Sequence, residues 1–218
     1  MRVKENGTMN FARARTQEQI TGRQEEIINA CDRLFSQNGY EGVNFKTISE
    51  LTSITRPTIY NYYKTKDEVL LDLLNRELLN LQACLIEVMD TTATMTKEQY
   101  STCLTEILLS HDKMLKLSSI LFTLENNIGI EKLANFKKKV MTVLDTIAAS
   151  VDKYFPMANA ENKAIFVSAL YAYILGAYPL SHLSPKQSEV IQWAGIHYMV
   201  PDFKNMCYHG ILLLLSDL

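Results

Sequence analysis

The sequence predicts an all-α protein in which three short helices lead, through one long helix, into a larger helical domain. Three observations carry this. The 8 glycines and 5 prolines make up only 13 of 218 residues, about half the usual share for soluble proteins. Leu, Lys, Glu, Ala and Met recur in long stretches without turn clusters. Apolar residues return at three- and four-residue spacing, and no strand-like alternation lasts more than a few residues. With 47% hydrophobic and 21% charged residues, collagenous, disordered and low-complexity chains are excluded. A chain of 218 residues also builds a core without disulfides or metal staples.

Residues 1–20 lack apolar periodicity and set Arg2, Lys4, Arg13 and Arg15 against Glu5 and Glu18, the pattern of a flexible, mildly basic arm. Thr21-Gly-Arg-Gln24 has the form of a capping box. Ile27, Cys31, Leu34 and Phe35 follow at helical spacing until Asn38-Gly39 offers a left-handed stop. Asn44 suits the cap of a short second helix with Ile48 and Leu51 facing inward. Thr52, Ser53 and Ile54 make a brief turn before a new cap at Thr55. Pro57 fits the first turn of a third helix, where a missing amide costs nothing, and that helix is expected to reach about Tyr63. A second capping box, Thr65-Lys-Asp-Glu68, opens a much longer fourth helix. It carries Leu70, Leu73, Leu74, Leu78, Leu81 and Leu85 and fades near Thr91-Thr92.

Further amphipathic helices are expected over about 97–110, 113–125 and 131–155, the last ended by Pro156. Asn159 can cap a helix over 160–178 that is apolar nearly all round and is stopped by Pro179. Two more are expected over about 185–198 and 202–217, the latter starting at Asp202 after Pro201.

Cysteines 31, 84, 103 and 207 show no Cys-x-x-Cys spacing and read as small buried hydrophobes in a reducing compartment. The N-terminus has no apolar core of a signal peptide. The longest apolar stretch, Val167 to Tyr178 broken only by Ser168, falls short of the ~20 residues a membrane span needs. A soluble, cytoplasmic protein without a membrane partner is expected. His111, His182, His197 and His209 form no Glu-x-x-His or His-Glu-x-x-His pattern, and no Gly-rich phosphate loop is present. No catalytic residue, metal or cofactor is therefore assigned, and the chain is not read as an enzyme.

Two short helices joined by a three- or four-residue turn, the second beginning Thr55-Arg-Pro-Thr-Ile-Tyr-Asn-Tyr62, make a helix-turn-helix. Ile59 and Tyr63, four apart, are expected to join Ile48, Leu51 and Ile54 in the interior. Thr55, Arg56, Thr58, Asn61 and Tyr62 are then left outward, a hydrogen-bonding face without a carboxylate. At 1.5 Å per residue, eight residues span ~12 Å, about the width of the DNA major groove.

Over residues 23–71 the chain resembles the TetR family of bacterial transcriptional regulators. Phe35, Gly39 and Tyr40 match the family's Phe-x-x-x-Gly-Tyr exit from the first helix, and Asn44-Phe45-Lys-Thr-Ile48 its second-helix entry. Thr55 to Glu68 matches the recognition helix and the lysine-containing start of the fourth. The family usually has Ala-Gly where Thr52-Ser53 stand and Phe where Tyr63 stands. A serine at a position favouring a left-handed backbone costs some stability. The resemblance implies a binder of double-stranded operator DNA. Arg56 and Thr58, beside Pro57, would approach base edges, and Tyr60, Tyr62, Lys64 and Lys66 would hold phosphates. Asn44, Lys46 and Thr47 would lie against the DNA backbone, and Thr55 and Asn61 complete the reading face.

The implied fold is an N-terminal three-helix helix-turn-helix domain joined by a long helix to a larger helical ligand-binding and dimerisation domain. The expected divisions are an arm over 1–20, the DNA-binding domain over 21–66 and the regulatory domain over 67–218. The resemblance further implies a homodimer paired through the last two long helices. Candidates there are the small-residue strip Ser168, Ala169, Ala172 and Gly176, with Ile211, Leu212 and Leu215. A pocket for a small-molecule effector would draw on Tyr100, His111, Phe122, Tyr171, Tyr178, Trp193 and His197. A helical interaction module that binds a protein partner instead of DNA stays open as the alternative.

The net charge of −2 conceals an asymmetry. Residues 1–66 hold 10 Lys+Arg against 7 Asp+Glu, a balance of +3, while residues 67–218 hold 12 against 17, a balance of −5. The basic excess would steer the reading head toward DNA.

Overall fold

The computed structural model describes residues 17–218, and within them eleven helices and no strand are found. The basic arm lies outside the described residues up to 16. Its last four residues are instead helical, since α1 runs Gln17–Gly42 and takes Thr21 into its interior. Gly39, at φ 63°, supplies the left-handed residue that kinks this helix, a conformation that costs glycine little.

The chain divides into two compact units, Met1–Tyr62 and Tyr63–Leu218. The first ends at Tyr62, four residues before the boundary at 66 expected for the DNA-binding domain, and Thr65 and Glu68 belong to the entry of the helix that they cap. It holds α1, α2 (Phe45–Glu50) and α3 (Arg56–Ile59). Its core is Ile27, Cys31, Leu34, Phe35, Val43, Phe45, Ile48, Ile54 and Ile59. Leu51 departs from expectation: it is the C-cap of α2 and 47% exposed. α3 is also shorter than periodicity suggests. Beyond Ile59 the amides of Asn61 and Tyr62 donate to Thr58 and Ile59, three residues back, and the tighter winding carries the chain out of the α-helix.

In the second unit α4 (Lys66–Thr91) lies along α8 (Ile130–Tyr154). Thr65 Oγ1 accepts the Glu68 amide at 3.3 Å, as a capping box requires. The Glu68 carboxylate reaches one residue further than a box and accepts the Lys64 amide at 2.7 Å. At the far end Tyr154 donates to the carbonyls of Val88 and Thr92 at 3.2 and 3.3 Å, tying down the last turn of α4.

α5 (Lys97–Ser110) opens on a full capping box from Thr96 and Gln99. The stretch expected as one helix after it is broken at Ile120 into α6 (Asp112–Ser119) and α7 (Leu121–Asn126). α9 (Ala160–Ser181) contains Pro179 rather than stopping before it. At 22 residues it is long and apolar enough to cross a membrane by length and composition, and 22% of its apolar window is buried. α10 (Pro185–Trp193) ends five residues earlier than expected, and α11 (Phe203–Leu214) is capped by Asp202. Gly210 is required where it stands: a Cβ there would sit 2.3 Å from the Tyr173 ring, whose hydroxyl donates to the Met206 carbonyl at 2.7 Å.

One buried polar group anchors the centre. Tyr100, 2% exposed, shares a 2.7 Å hydrogen bond with Ser150 Oγ and is surrounded by the rings of Tyr154, Phe155 and Phe166. No disulfide joins the four cysteines; Cys31 and Cys207 are buried, but Cys84 and Cys103 are only half-buried. Burial pushes the Cys207 thiol up to about 11, which makes it an unreactive packing group.

Tyr63, where the family usually has Phe, uses its hydroxyl. It donates to Asp72 at 2.9 Å, and Lys132 of α8 donates to the same oxygen at 2.6 Å while lying 4.8 Å over the Tyr63 ring. Tyr63→Phe is expected to cost about 1 kcal/mol in urea denaturation, one hydrogen bond's worth. Lys132→Met should cost about 1.5–3 kcal/mol, because it removes the charged donor of a carboxylate that is only 24% exposed.

Candidate nucleic-acid interface

The reading face is assembled by caps. Asn44 Oδ1 accepts the amides of Lys46 and Thr47 at 3.0 Å each, and Thr47 Oγ1 accepts the Asn44 amide at 3.2 Å. Thr47 also donates to the Gly42 and Asn44 carbonyls. These two side chains therefore shape the entry of α2, and the group standing clear of the cap is Lys46, 75% exposed with Glu50 4.0 Å away.

The turn between α2 and α3 is clamped from α1. Glu26 accepts the Ser53 amide at 2.5 Å and its hydroxyl at 3.2 Å, while Arg23 donates to the Ser53 hydroxyl at 2.6 Å and to Glu26 at 3.2 Å. Thr52 Oγ1 donates to the Ile48 carbonyl and accepts the Ile54 amide. The strain expected at Ser53 is absent, since no described residue other than glycine has a positive φ. Thr52-Ser53 thus replaces a glycine turn by one held with side-chain hydrogen bonds.

The Ser53 amide holds the Glu26 carboxyl below its ordinary value. A lowered folded value means that this contribution is complete above the ordinary carboxylate range and disappears as pH falls through the folded value. Glu26→Gln, which keeps an acceptor but loses the charge, is expected to flatten the acid side of the stability profile. Because the site is solvent-accessible, the loss at neutral pH should stay below about 1 kcal/mol. Urea midpoints of both proteins at neutral and acid pH check this.

From this turn α3 presents its face. Thr55, Arg56, Pro57, Tyr60 and Asn61 are exposed, and Thr58 and Tyr62 half-buried. Thr55 and Thr58 hydroxyls lie 2.9 Å apart. Tyr60 rests its ring edge-on against Phe45, centroids 4.9 Å apart, and is 52% exposed. Thr55, Thr58 and Tyr62 share the wall of an open hollow of about 530 Å³ with Gln19 and Arg23 of α1. Among the described residues no carboxylate lines that hollow. Gln19 and Arg23 escaped sequence reasoning because only the fold brings α1 beside the turn. In the second unit, Lys64 is exposed and Lys66 half-buried at the entry of α4.

Residues 27–73 match the model described as bacterial regulatory proteins, tetR family, and residues 72–216 match that of the tetracyclin repressor-like C-terminal domain. The chain belongs to the TetR family. It is therefore a DNA-binding transcriptional regulator, and members of the TetR family are generally not enzymes. Among solved TetR-family structures, FadR from Thermus thermophilus in complex with lauroyl-CoA is similar with TM-score 0.59 and 17% identity, over 89% of this chain and 94% of that one. FadR from Bacillus halodurans is similar with TM-score 0.57 and 14% identity, over 90% and 96%. A TetR-family regulator from Mesorhizobium loti gives 0.56 and 14%, over 93% and 98%. No curated protein matches the sequence.

The helical unit of this TetR-family chain holds an apolar cavity of about 50 Å³. Its walls are Leu78 and Leu81 of α4, Leu104 and Leu108 of α5, Met114 and Ser118 of α6, Val140, Val143, Leu144 and Ile147 of α8, and Leu170, Tyr171, Ile174 and Leu175 of α9. Of the seven effector candidates only Tyr171 lies on these walls. Tyr100 is core, and His111 donates from Nδ1 to the Ile107 carbonyl at 2.8 Å. Tyr178 donates to Asp112 at 2.6 Å and stacks on His182; burial raises its hydroxyl above the ordinary value. Phe122 and Trp193 are 70% and 88% exposed, and His197 is exposed as well.

The dimer candidates divide. Ser168, Ala172 and Gly176 are exposed and Ala169 half-buried on α9, whereas on α11 Leu212 is half-buried and Ile211 and Leu215 are fully buried in their own chain. The outward leucine of α11 is Leu213, 72% exposed. Among the described residues no group of three His, Cys, Asp or Glu is placed to hold a metal.

Proposed function

We propose that the chain is a cytoplasmic repressor that covers a palindromic operator as a homodimer and leaves it when a small apolar effector enters the cavity of the helical unit. The carrying observation is the carboxylate-free face from Thr55 to Tyr62, held by the Glu26–Ser53 clamp. Arg56 and Thr58 read base edges there, and Tyr60, Tyr62, Lys64 and Lys66 grip phosphates. A two-fold dimer sets two such heads one DNA turn apart, ~34–36 Å, which is the spacing of a palindromic site.

The dimer is supported by α9. Its exposed side runs Ile165, Ser168, Ala172, Gly176 and Leu180 without a charged residue, and small residues let a second helix come close. The effector class follows from the cavity walls, where only Ser118 and Tyr171 carry polar tips. An acyl chain, such as that of the lauroyl-CoA held by the Thermus relative, is the kind of group these walls accept. A cavity of about 50 Å³ has room for little more than one water's share of liquid volume, ~30 Å³. A longer chain must push the walls apart, including Leu78 and Leu81 of α4. Moving α4, which follows Tyr62 after only three residues, would put the two heads out of register with their half-sites.

Selection of DNA from a random pool by the purified protein tests the reading. An inverted repeat should be enriched, and an uncharged or acyl-chain ligand should weaken the selected complex at least tenfold. Failure of the intact dimer to enrich any sequence would overturn it in favour of a protein partner.

A further inference from the structure

The segment between α9 and α11 has no core of its own. α10 has no buried residue, and from Ser184 to Val200 every residue but the half-buried Ile191 is exposed. Val190, Trp193, Ile196 and Met199 stand 50%, 88%, 55% and 90% exposed, and no Asp, Glu, Lys or Arg occurs from Val190 to Pro201. An uncharged apolar patch of this kind marks an interaction surface.

The segment is nevertheless shaped. Ser184 and Gln187 close a capping box on α10. Gly195, at φ 65°, turns the chain, and the Ile196 amide donates to the Ile191 carbonyl at 3.1 Å. Tyr198 then donates to the Leu180 carbonyl at 3.3 Å. Its bonds are local and lead back to the end of α9.

We propose that residues 184–200 form an arm that seats on a second copy of this chain, with Trp193 as its anchor; this rests on the dimer reading above. Continuity argues for that occupant. The arm begins where the exposed strip of α9 ends, is bonded to Leu180 of that strip, and hands over to α11, whose Leu213 is also outward. In a two-fold interface the same patches meet reciprocally, so an apolar segment flanking the strip is placed to cover the edge of the partner's strip. Charge argues against a membrane surface: from Ala164 to Phe203 the only Lys or Arg is Lys186, whereas surface-binding segments carry cationic clusters. Tryptophan is also the residue type that most often anchors an interface.

Trp193 is the only tryptophan in the chain, so its fluorescence reports on the arm alone. At concentrations where the protein sediments as a dimer, emission should be blue-shifted and iodide quenching several-fold weaker than in the urea-unfolded chain. Dilution into the monomer range should reverse both. Trp193→Ala should raise the dimer dissociation constant at least tenfold with unchanged helicity, since the side chain is exposed within its own protomer. A dimer whose Trp193 is quenched as freely as in the unfolded chain removes the arm and leaves the dimer reading intact. A chain that stays monomeric at every concentration removes both. Protection that appears only on adding anionic vesicles also overturns the proposal.

Discussion

Replacing Arg56 by alanine is expected to weaken operator binding by about 10²- to 10⁴-fold and to relax base preference at one position in each half-site. A guanidinium bidentate to a guanine edge discriminates by about 1–3 kcal/mol. A two-fold dimer carries the substitution twice, so the losses at separated half-sites add. Arg56 is suited to this role because it is exposed at the first position of α3, next to Pro57 with its fixed backbone, and no acid stands on that face to neutralise it. Lys64→Ala should behave differently. A phosphate contact carries no sequence information, so all sequences should weaken alike and the salt dependence should fall by about one unit per half-site. Titrations of the selected operator and of single-base variants at two salt concentrations separate the two signatures. If Arg56→Ala leaves base preference unchanged, base reading belongs to another residue.

The caps were legible in the sequence because their chemistry is local. Asn44, Thr65, Asn159 and Asp202 each accept an amide two or three residues on, and nothing distant is needed to satisfy them. The reading face was legible for a related reason, as it is one contiguous run. Helix ends were less so. Pro179 interrupts one backbone bond, yet α9 continues two residues further; Leu51 shares the apolar spacing of Ile48 but falls at the C-cap, where the chain turns it outward.

The cavity was the least legible feature. Its walls come from five helices separated by up to about a hundred residues of chain, and apart from Met114, Ser118 and Tyr171 they are leucine, valine and isoleucine, indistinguishable from core. Of the aromatic and histidine side chains that sequence alone offers as pocket lining, only Tyr171 lies on these walls. Tyr100 fills the centre of the unit, and Trp193 is exposed on a segment with no core. For α9, apolar nearly all round, periodicity had no face to indicate. Only the packing of α6, α8 and α11 along one side leaves Ser168, Ala172 and Gly176 on the other.

Ala172→Glu tests that outward side with the second large effect. The position is exposed and mid-helix, and glutamate is a good helix former, so the protomer should keep its helicity and its stability within about 0.5 kcal/mol. In the proposed dimer the substitution brings together two carboxylates on the exposed side of α9, whose Ile165, Ser168, Gly176 and Leu180 offer no cation to pair with them. Repulsion and desolvation there cost several kcal/mol, and the dimer dissociation constant should rise more than about 100-fold. Operator affinity should fall with it, because a monomer holds one half-site and loses the effective concentration that the second head enjoys. Ile211→Glu is the control, since Ile211 is 0% exposed and a charge there should unfold the protomer itself, with lost helicity. A protein that loses dimer and operator binding while staying helical places the interface on the Ser168–Ala172–Gly176 strip. A dimer that persists in Ala172→Glu would move it to another surface.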